Sequence, residues 1–279
     1  MRHVERAVDG IDVHYTEHGG GLPLVALHGA GVDHREVEAA LESILESRND
    51  VRRIYPDLPG MGRTAADERL TSNDDVVALL AGFVDQLAPD EPFALLGHSY
   101  GAYLARAVAA SRRDRCVGLA LICPLVDQSG DLPEHRAVRV EGDPYAELAA
   151  DEVPGFDEYF VVRTPQLARR YRDSVVPGTR LVDEAGLERI FARWTLSREP
   201  EDLGLVHPAL ILAGRQDSTV GFAGAVDLLQ HYPRASFAIL DGAGHALIHE
   251  RPDLLAVFVA DWLERIRRRP SDADDDHES

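Results

Sequence analysis

The stretch Leu95-Leu96-Gly97-His98-Ser99-Tyr100-Gly101-Ala102 constrains this chain more than any other. Phe93-Ala94-Leu95-Leu96 reads as a short apolar strand, and Tyr103–Ala110 has helical composition. Between them, Gly97-His98-Ser99-Tyr100-Gly101 has the Gly-x-Ser-x-Gly form of a nucleophile elbow on a strand–turn–helix. The serine of such an elbow sits on a very sharp, strained turn, where side chains two positions to either side would collide. The chain around it must therefore supply a buried strand, a helix packed against it and a site at the strand's carboxyl end.

The rest of the chain repeats that pattern. Residues 11–17 alternate in part and end at Gly19-Gly20-Gly21, predicting an early antiparallel hairpin with the residues before them. Leu24–Leu27, Val51–Tyr55, Phe93–Leu96, Val117–Cys123, Ala209–Ala213 and Ser236–Leu240 are short apolar runs, several of them continuous as in strands buried on both faces. Helices are predicted over Val37–Leu45, Asp74–Leu87 with Ser72 or Asn73 as cap, Ala223–His231 and Leu254–Ile266. The alternation breaks after Pro124. From there to about His207 the text is charged and helical, with helices expected at Phe156–Val162, Pro165–Tyr171 and Glu184–Leu196 and no buried strand. The simplest account is an α/β core, residues 1–125 and 205–269, interrupted by an inserted helical cap over residues 126–204. Residues 270–279 carry one alanine among polar and acidic side chains and are expected to be a disordered tail.

Composition excludes several partner classes. The 279 residues carry a formal net charge of −19, which repels nucleic acid and anionic membrane alike. All 29 basic residues are arginine, a pattern that reads as coding bias and carries no functional signal. No apolar run reaches the ~18 residues that span a bilayer, and Met1–Arg6 has no apolar signal region. A cytoplasmic protein acting on a small molecule, as monomer or homodimer, is expected. Cys116 and Cys123 lie on one expected strand, roughly 23 Å apart at ~3.3 Å per residue, so two free thiols are expected.

A serine nucleophile needs a base and a group that orients the base. Gly214-Arg215-Gln216-Asp217 places a carboxylate just past one buried strand, and Asp241-Gly242-Ala243-Gly244-His245 places an imidazole past another. The order Ser99, Asp217, His245 is the chain order expected of a triad whose serine stands on a Gly-x-Ser-x-Gly elbow. Asp127, past the strand ending at Cys123, is a rival acid; the Gly-x-x-Asp spacing favours Asp217. No Gly-Lys-Ser/Thr loop and no paired His or Cys spacing suggests a nucleotide or a metal, so no cofactor is expected.

Four motifs together resemble the α/β-hydrolase superfamily, in its form with a helical cap. They are His28-Gly29-Ala30-Gly31, Asp57-Leu58-Pro59-Gly60-Met61-Gly62-Arg63-Thr64, the elbow, and the pair Gly214–Asp217 with Gly244-His245. The resemblance covers nearly the whole chain outside the tail. It implies Ser99 as nucleophile, His245 as base and then acid, Asp217 as its orienting partner, and backbone N–H groups of Ala30 and Tyr100 as the oxyanion hole. His28 would brace the oxyanion loop, His98 would point away from the nucleophile and pack or hydrogen-bond within the elbow, and His249 would begin a helix. Asp57–Thr64 is a turn that serves the fold.

The implied activity is hydrolysis of a small carboxylic ester, thioester or lactone through an acyl-enzyme. Alternatives on the same triad are a carbon–carbon hydrolase or lyase, a proline iminopeptidase-like peptidase, and a ligand-binding receptor. Ring-cleaving relatives usually carry Asn before the nucleophile and Trp after the histidine, where this chain has His98 and Ala246. Peptidases of that kind usually have a Gly-Gly-Ser-Trp-Gly elbow, which this chain lacks. Phe156, Tyr159, Phe160, Trp194 and Leu196 are candidates for an apolar roof over Ser99. Arg163, Arg169, Arg170, Arg172, Arg189 and Arg193 are candidates for holding a substrate carboxylate, against the alternative of surface ion pairs.

Overall fold

The structure is a computed structural model and describes residues 2–126, 132–203 and 205–268. Asp127 and the acidic tail therefore lie outside the described residues. The strands are β1 (Arg2–Val8), β2 (Ile11–His18), β3 (Leu22–Leu27), β4 (Val51–Pro56), β5 (Phe93–His98), β6 (Cys116–Ile122), β7 (Arg139–Val140), β8 (Val162–Arg163), β9 (Ala209–Gly214) and β10 (Ala235–Leu240). The helices are α1 (Arg35–Leu45), α2 (Asn73–Leu87), α3 (Tyr100–Ser111), α4 (Val153–Tyr159), α5 (Pro165–Ser174), α6 (Val176–Thr179), α7 (Glu184–Phe191), α8 (Ala223–Asp227), α9 (Leu247–Glu250) and α10 (Pro252–Arg267).

Eight strands form one sheet in the order β1-β2-β4-β3-β5-β6-β9-β10. β1 and β2 form the expected hairpin, closed by Asp9-Gly10 with both residues at positive φ, the signature of a two-residue turn that matches strand twist. From β4 to β10 the pairings are parallel, so their carboxyl ends share one edge of the sheet. That edge is where open α/β sheets place their ligand sites.

The apolar runs are continuous because the central strands are buried on both faces. Along β5, Phe93 and Leu95 join one core while Ala94 and Leu96 join the other. Along β9, Ile211 faces the first and Leu210 and Leu212 the second. Helices α2 and α3 cover the first face, with Phe83 and Leu104, and α1 and α10 cover the second, with Leu41 and Trp262. Burying one such large side chain contributes about 1.5–3 kcal/mol. α2 starts as expected, with Ser72 Oγ accepting the N–H of Asp75 at 3.2 Å.

The inserted segment departs from its sequence reading in two places. α4 starts at Val153, where Pro154 suits a first turn, and ends before Phe160. Val162–Arg163 is then a short strand paired in parallel with Arg139–Val140, in a region where no strand was expected. α7 ends at Phe191, short of Leu196, and beyond it the Trp194 carbonyl accepts from Asn73 Nδ2 at 2.7 Å and Tyr103 Oη at 3.2 Å. A third apolar cluster, with Phe156, Phe160, Val161, Leu167 and Tyr171 at its centre, includes Val32 and Ala246 of the sheet's loops. The insert thus packs on the loops that follow β3 and β10, beside Ala30 and His245.

Candidate active site

Ser99 caps α3 at φ 54°, ψ −118°, a conformation that costs a non-glycine residue of order 1–3 kcal/mol. Its backbone is held on both sides. The Ser99 N–H donates to Ile122 O at 3.0 Å, and its carbonyl accepts from Ala102, Tyr103 and Leu125 at 3.0–3.3 Å. The flanking glycines are required by close approach. A Cβ on Gly97 would lie 2.3 Å from the Gly101 carbonyl oxygen, and one on Gly101 would lie 2.3 Å from that of Leu27.

The turn aims Ser99 Oγ at His245, whose Nε2 is 2.9 Å away. His245 Nδ1 lies 2.9 Å from Asp217 Oδ2. The other Asp217 oxygen accepts the N–H groups of Thr219 and Val220 at 2.9 and 3.0 Å. Burial opposes ionisation of Asp217, but the field and hydrogen bond of His245 and these two amides hold its carboxyl below the usual range. An ionised Asp217 fixes the proton of His245 on Nδ1, leaving Nε2 free to accept from Ser99. The structure brings the three residues together in the order in which they were read.

Among the described residues, no acceptor is found for the N–H of Tyr100 or of Ala30, while Gly31 N contacts Met61 Sδ at 3.2 Å and Gly29 N is bound to Glu36. His28 and Glu36 set the two peptides around Gly29. His28 Nδ1 donates to the Gly29 carbonyl at 2.7 Å, and that carbonyl shares a planar trans peptide with the Ala30 N–H, so the amide must point the opposite way. His28 Nε2 accepts the Leu58 N–H at 2.9 Å, tying this loop to the one after β4. The neutral ring this requires matches its burial, which lowers the His28 pKa.

His98 does not stay within the elbow as expected. Its Nε2 donates to the carbonyl of His245 at 2.9 Å, and its Nδ1 stands 2.9 Å from Glu36 Oε1. Burial works against both charges, yet the pair's mutual field holds Glu36 well below the usual carboxylate range and raises His98. Glu36 and Glu250 are the residues that sequence reading missed. Neither belongs to a motif, and an acidic residue on a helix reads as solvated; their burial is set by tertiary packing alone. Glu250 accepts from Val161 and Val162 N–H at 2.8 and 2.9 Å and from Gly244 N–H at 2.7 Å.

Among the proposed roof residues, Tyr159 reaches His245, with ring centroids 6.3 Å apart. Phe156 and Phe160 belong to the insert's own cluster, and Trp194 stacks on Tyr103 at 5.5 Å. His249 lies in α9, buried between Tyr159 and Phe160, and burial lowers it to about 3, so it stays neutral. Of the six arginines, Arg163, Arg169 and Arg172 pair with Asp157, Glu147 and Asp173, and Arg189 and Arg193 bind carbonyls of residues 66–71. Arg170 bonds the Ala39 carbonyl and lines a cleft of about 1060 Å³ together with His249 and Glu250; none of Ser99, Asp217 and His245 lines that cleft.

Among the described residues, metal-ligand chemistry is present in two clusters, His98–Cys123–His245 and His14–His34–Asp57, each with donor atoms within 4.8 Å. In both, at least two of the three residues already hold hydrogen bonds. His245 serves Ser99 and Asp217, and Asp57 accepts from His14 Nδ1 at 2.9 Å and His34 Nδ1 at 2.6 Å. Asp57 also takes the N–H groups of His34 and Arg63, which makes Asp57–Thr64 a buried tie between β2, α1 and the turn. Cys116 and Cys123 are both free and buried, and no helix among the described residues is long and apolar enough to cross a membrane.

The chain is similar to known proteins over most of its length. The chain is 26% identical over 263 residues to 2-hydroxymuconate semialdehyde hydrolase of Pseudomonas sp. (strain CF600), covering 91% of each chain. It is 25% identical over 256 residues to pimeloyl-[acyl-carrier protein] methyl ester esterase of Legionella pneumophila (strain Paris), covering 91% of this chain and all of the other. An alpha/beta superfamily hydrolase from Oenococcus oeni PSU-1 superposes with a TM-score of 0.85 at 24% identity, covering 96% of this chain and 100% of that one. The sequence profile of the alpha/beta hydrolase family matches residues 24–257 and takes in every residue of the Ser99 site, so the chain belongs to that family and is a hydrolase.

Proposed function

We propose that this hydrolase cleaves a small carboxylic ester, thioester or lactone through an acyl-enzyme on Ser99. The observation that carries the reading is the unbroken relay from Ser99 Oγ to His245 Nε2 and from His245 Nδ1 to Asp217, each step 2.9 Å, beside two amides without acceptors. Ser99 Oγ attacks the acyl carbon as His245 Nε2 takes its proton, and the carbonyl oxygen gains the negative charge. The N–H groups of Ala30 and Tyr100 meet that charge, a contribution of about 3–4 kcal/mol per donor. Collapse of the tetrahedral intermediate breaks the bond to the leaving oxygen or sulfur, which departs with the proton from His245. Water then repeats the sequence and releases the acid. Residues 126–204 act as a cap on a core formed by 1–125 and 205–269, with Tyr159 as its nearest aromatic ring to the base. Two free thiols suit a reducing, cytoplasmic setting.

One relative's name is that of an esterase and another's that of a semialdehyde hydrolase. His98 and Ala246 favour the ester reading, since His98 is committed to the His245 carbonyl and Ala246 is fully buried in the insert's cluster. The test is turnover of short p-nitrophenyl esters together with fluorophosphonate labelling. Wild type should turn over and label at Ser99, and Ser99→Ala should do neither. Wild-type protein that neither turns over nor labels would refute the acyl-enzyme.

A further inference from the structure

Glu36 stands on α1, outside every motif, and is 1% exposed. Its two oxygens meet three separate parts of the site. Oε1 accepts the Tyr159 hydroxyl of the cap at 2.6 Å and lies 2.9 Å from His98 Nδ1. Oε2 accepts the Gly29 N–H of the oxyanion loop at 3.1 Å. His98 carries the connection onward to the His245 carbonyl at 2.9 Å.

We propose that Glu36 is a positioning residue that couples the seated cap to a competent oxyanion hole, by holding Tyr159, Gly29 and, through His98, the His245 backbone on one carboxylate. The inference rests on the acyl-enzyme reading above. Its physical basis is the cost of a buried charge. An ionised carboxylate out of water needs each lone pair met, and removing one partner leaves it under-compensated. When the cap lifts, Tyr159 Oη leaves Oε1, and Glu36 turns or draws in water to recover that hydrogen bond. Either movement releases the Gly29 N–H. The peptide before Gly29 is then free to rotate, and the next peptide carries the Ala30 N–H. The catalytic consequence is a hole that is well formed when the cap is closed and loose when it is open. Tyr159 meets His245 through its ring and reaches the oxyanion loop through its hydroxyl by way of Glu36, so cap closure over a substrate bears on both.

The test is a double-mutant cycle of Glu36→Gln and Tyr159→Phe, read by kcat and KM on a short p-nitrophenyl ester and by affinity for a trifluoromethyl ketone. That inhibitor's adduct places an oxyanion in the hole, so its affinity follows hole geometry apart from general packing. Each single variant should lower kcat about tenfold, with KM nearly unchanged and inhibitor affinity falling in parallel. The double variant should be no worse than Glu36→Gln alone. Effects that multiply, or a Tyr159→Phe variant that changes only KM, would overturn the coupling. If Glu36→Gln fails to fold, Tyr159→Phe decides by the same criterion: parallel loss of kcat and inhibitor affinity supports the coupling, and a change in KM alone removes it. A wild type that neither labels nor turns over takes away the acyl-enzyme itself; an active wild type with independent variants takes away the coupling only.

Discussion

The Glu250 carboxylate accepts the N–H of Gly244 at 2.7 Å, one residue before His245, while its other oxygen holds Val161 and Val162 of the insert. Burial dominates its titration and, against those three amides, pushes it up to about 7. Folding therefore favours the protonated form between the ordinary carboxylate pKa and about 7. The sign follows directly: in that window the native state binds more protons than the unfolded chain, so this group's contribution to stability falls as pH rises, by about 1.4 kcal/mol per unit of difference in pKa. Glu250→Gln removes the titration while keeping one acceptor oxygen. The difference in Tm between the variant and wild type should move in the variant's favour as pH rises from 5 to 8. Parallel profiles would show that the three amides keep Glu250 ionised throughout.

Asp217 acts by orientation, because its carboxylate fixes which nitrogen of His245 carries the proton. Asp217→Asn keeps the shape but can present an N–H to Nδ1, which turns the ring to the wrong tautomer. A loss in kcat on the order of 10⁴-fold is expected, with the fold retained by circular dichroism. Asp127→Asn should leave kcat within about twofold of wild type. If the two results were exchanged, the acid would belong to the strand after the elbow, as the rival reading has it.

How far these residues could be read from the sequence depends on the range of the forces that place them. Ser99 announces itself because a sharp turn needs glycine at 97 and 101, a local steric demand. The strands were legible because those buried on both faces must be apolar without interruption. His245 and Asp217 followed from their positions at strand ends. Glu36 and Glu250 had no such local mark. Each is an acid on a helix, and only contacts with residues far along the chain, such as Tyr159 and Val161, distinguish them from solvated neighbours. The Val162–Arg163 strand was missed for the same reason, since two residues have no period and its partner lies at Arg139–Val140.

The elbow's geometry makes a prediction about folding that is separate from chemistry. A Cβ at Gly101 would sit 2.3 Å from Leu27 O and 2.5 Å from His28 O, both backbone atoms that cannot move without displacing β3. Gly101→Ala should destabilise by about 3 kcal/mol or more, measured by urea unfolding. Gly20→Ala is the control, because nothing lies within 4 Å of its added Cβ, and it should stay within about 0.5 kcal/mol of wild type. Equal behaviour of the two variants would mean that the α3–β3 contact yields more easily than this packing allows.

A buried ion pair anchors α3, the helix that Ser99 caps. Arg106 Nε on α3 donates to Glu201 Oε1 at 2.6 Å, and Tyr232 Oη donates to the same oxygen at 2.9 Å. The side chains of Arg106 and Glu201 are 5% and 8% exposed, so each charge depends on the other. Burial opposes the Glu201 charge, but the guanidinium holds its carboxyl below the usual range. Removing one partner strands the other, and Arg106→Met or Glu201→Leu alone should cost about 3–5 kcal/mol. Replacing both removes the stranded charge and should recover most of that loss, because apolar side chains of similar volume often serve as well as a buried pair. Urea unfolding of the two single variants and the double variant decides it. A double variant as unstable as the sum of the singles would show that Arg106 and Glu201 act independently and that neither charge is stranded by loss of the other.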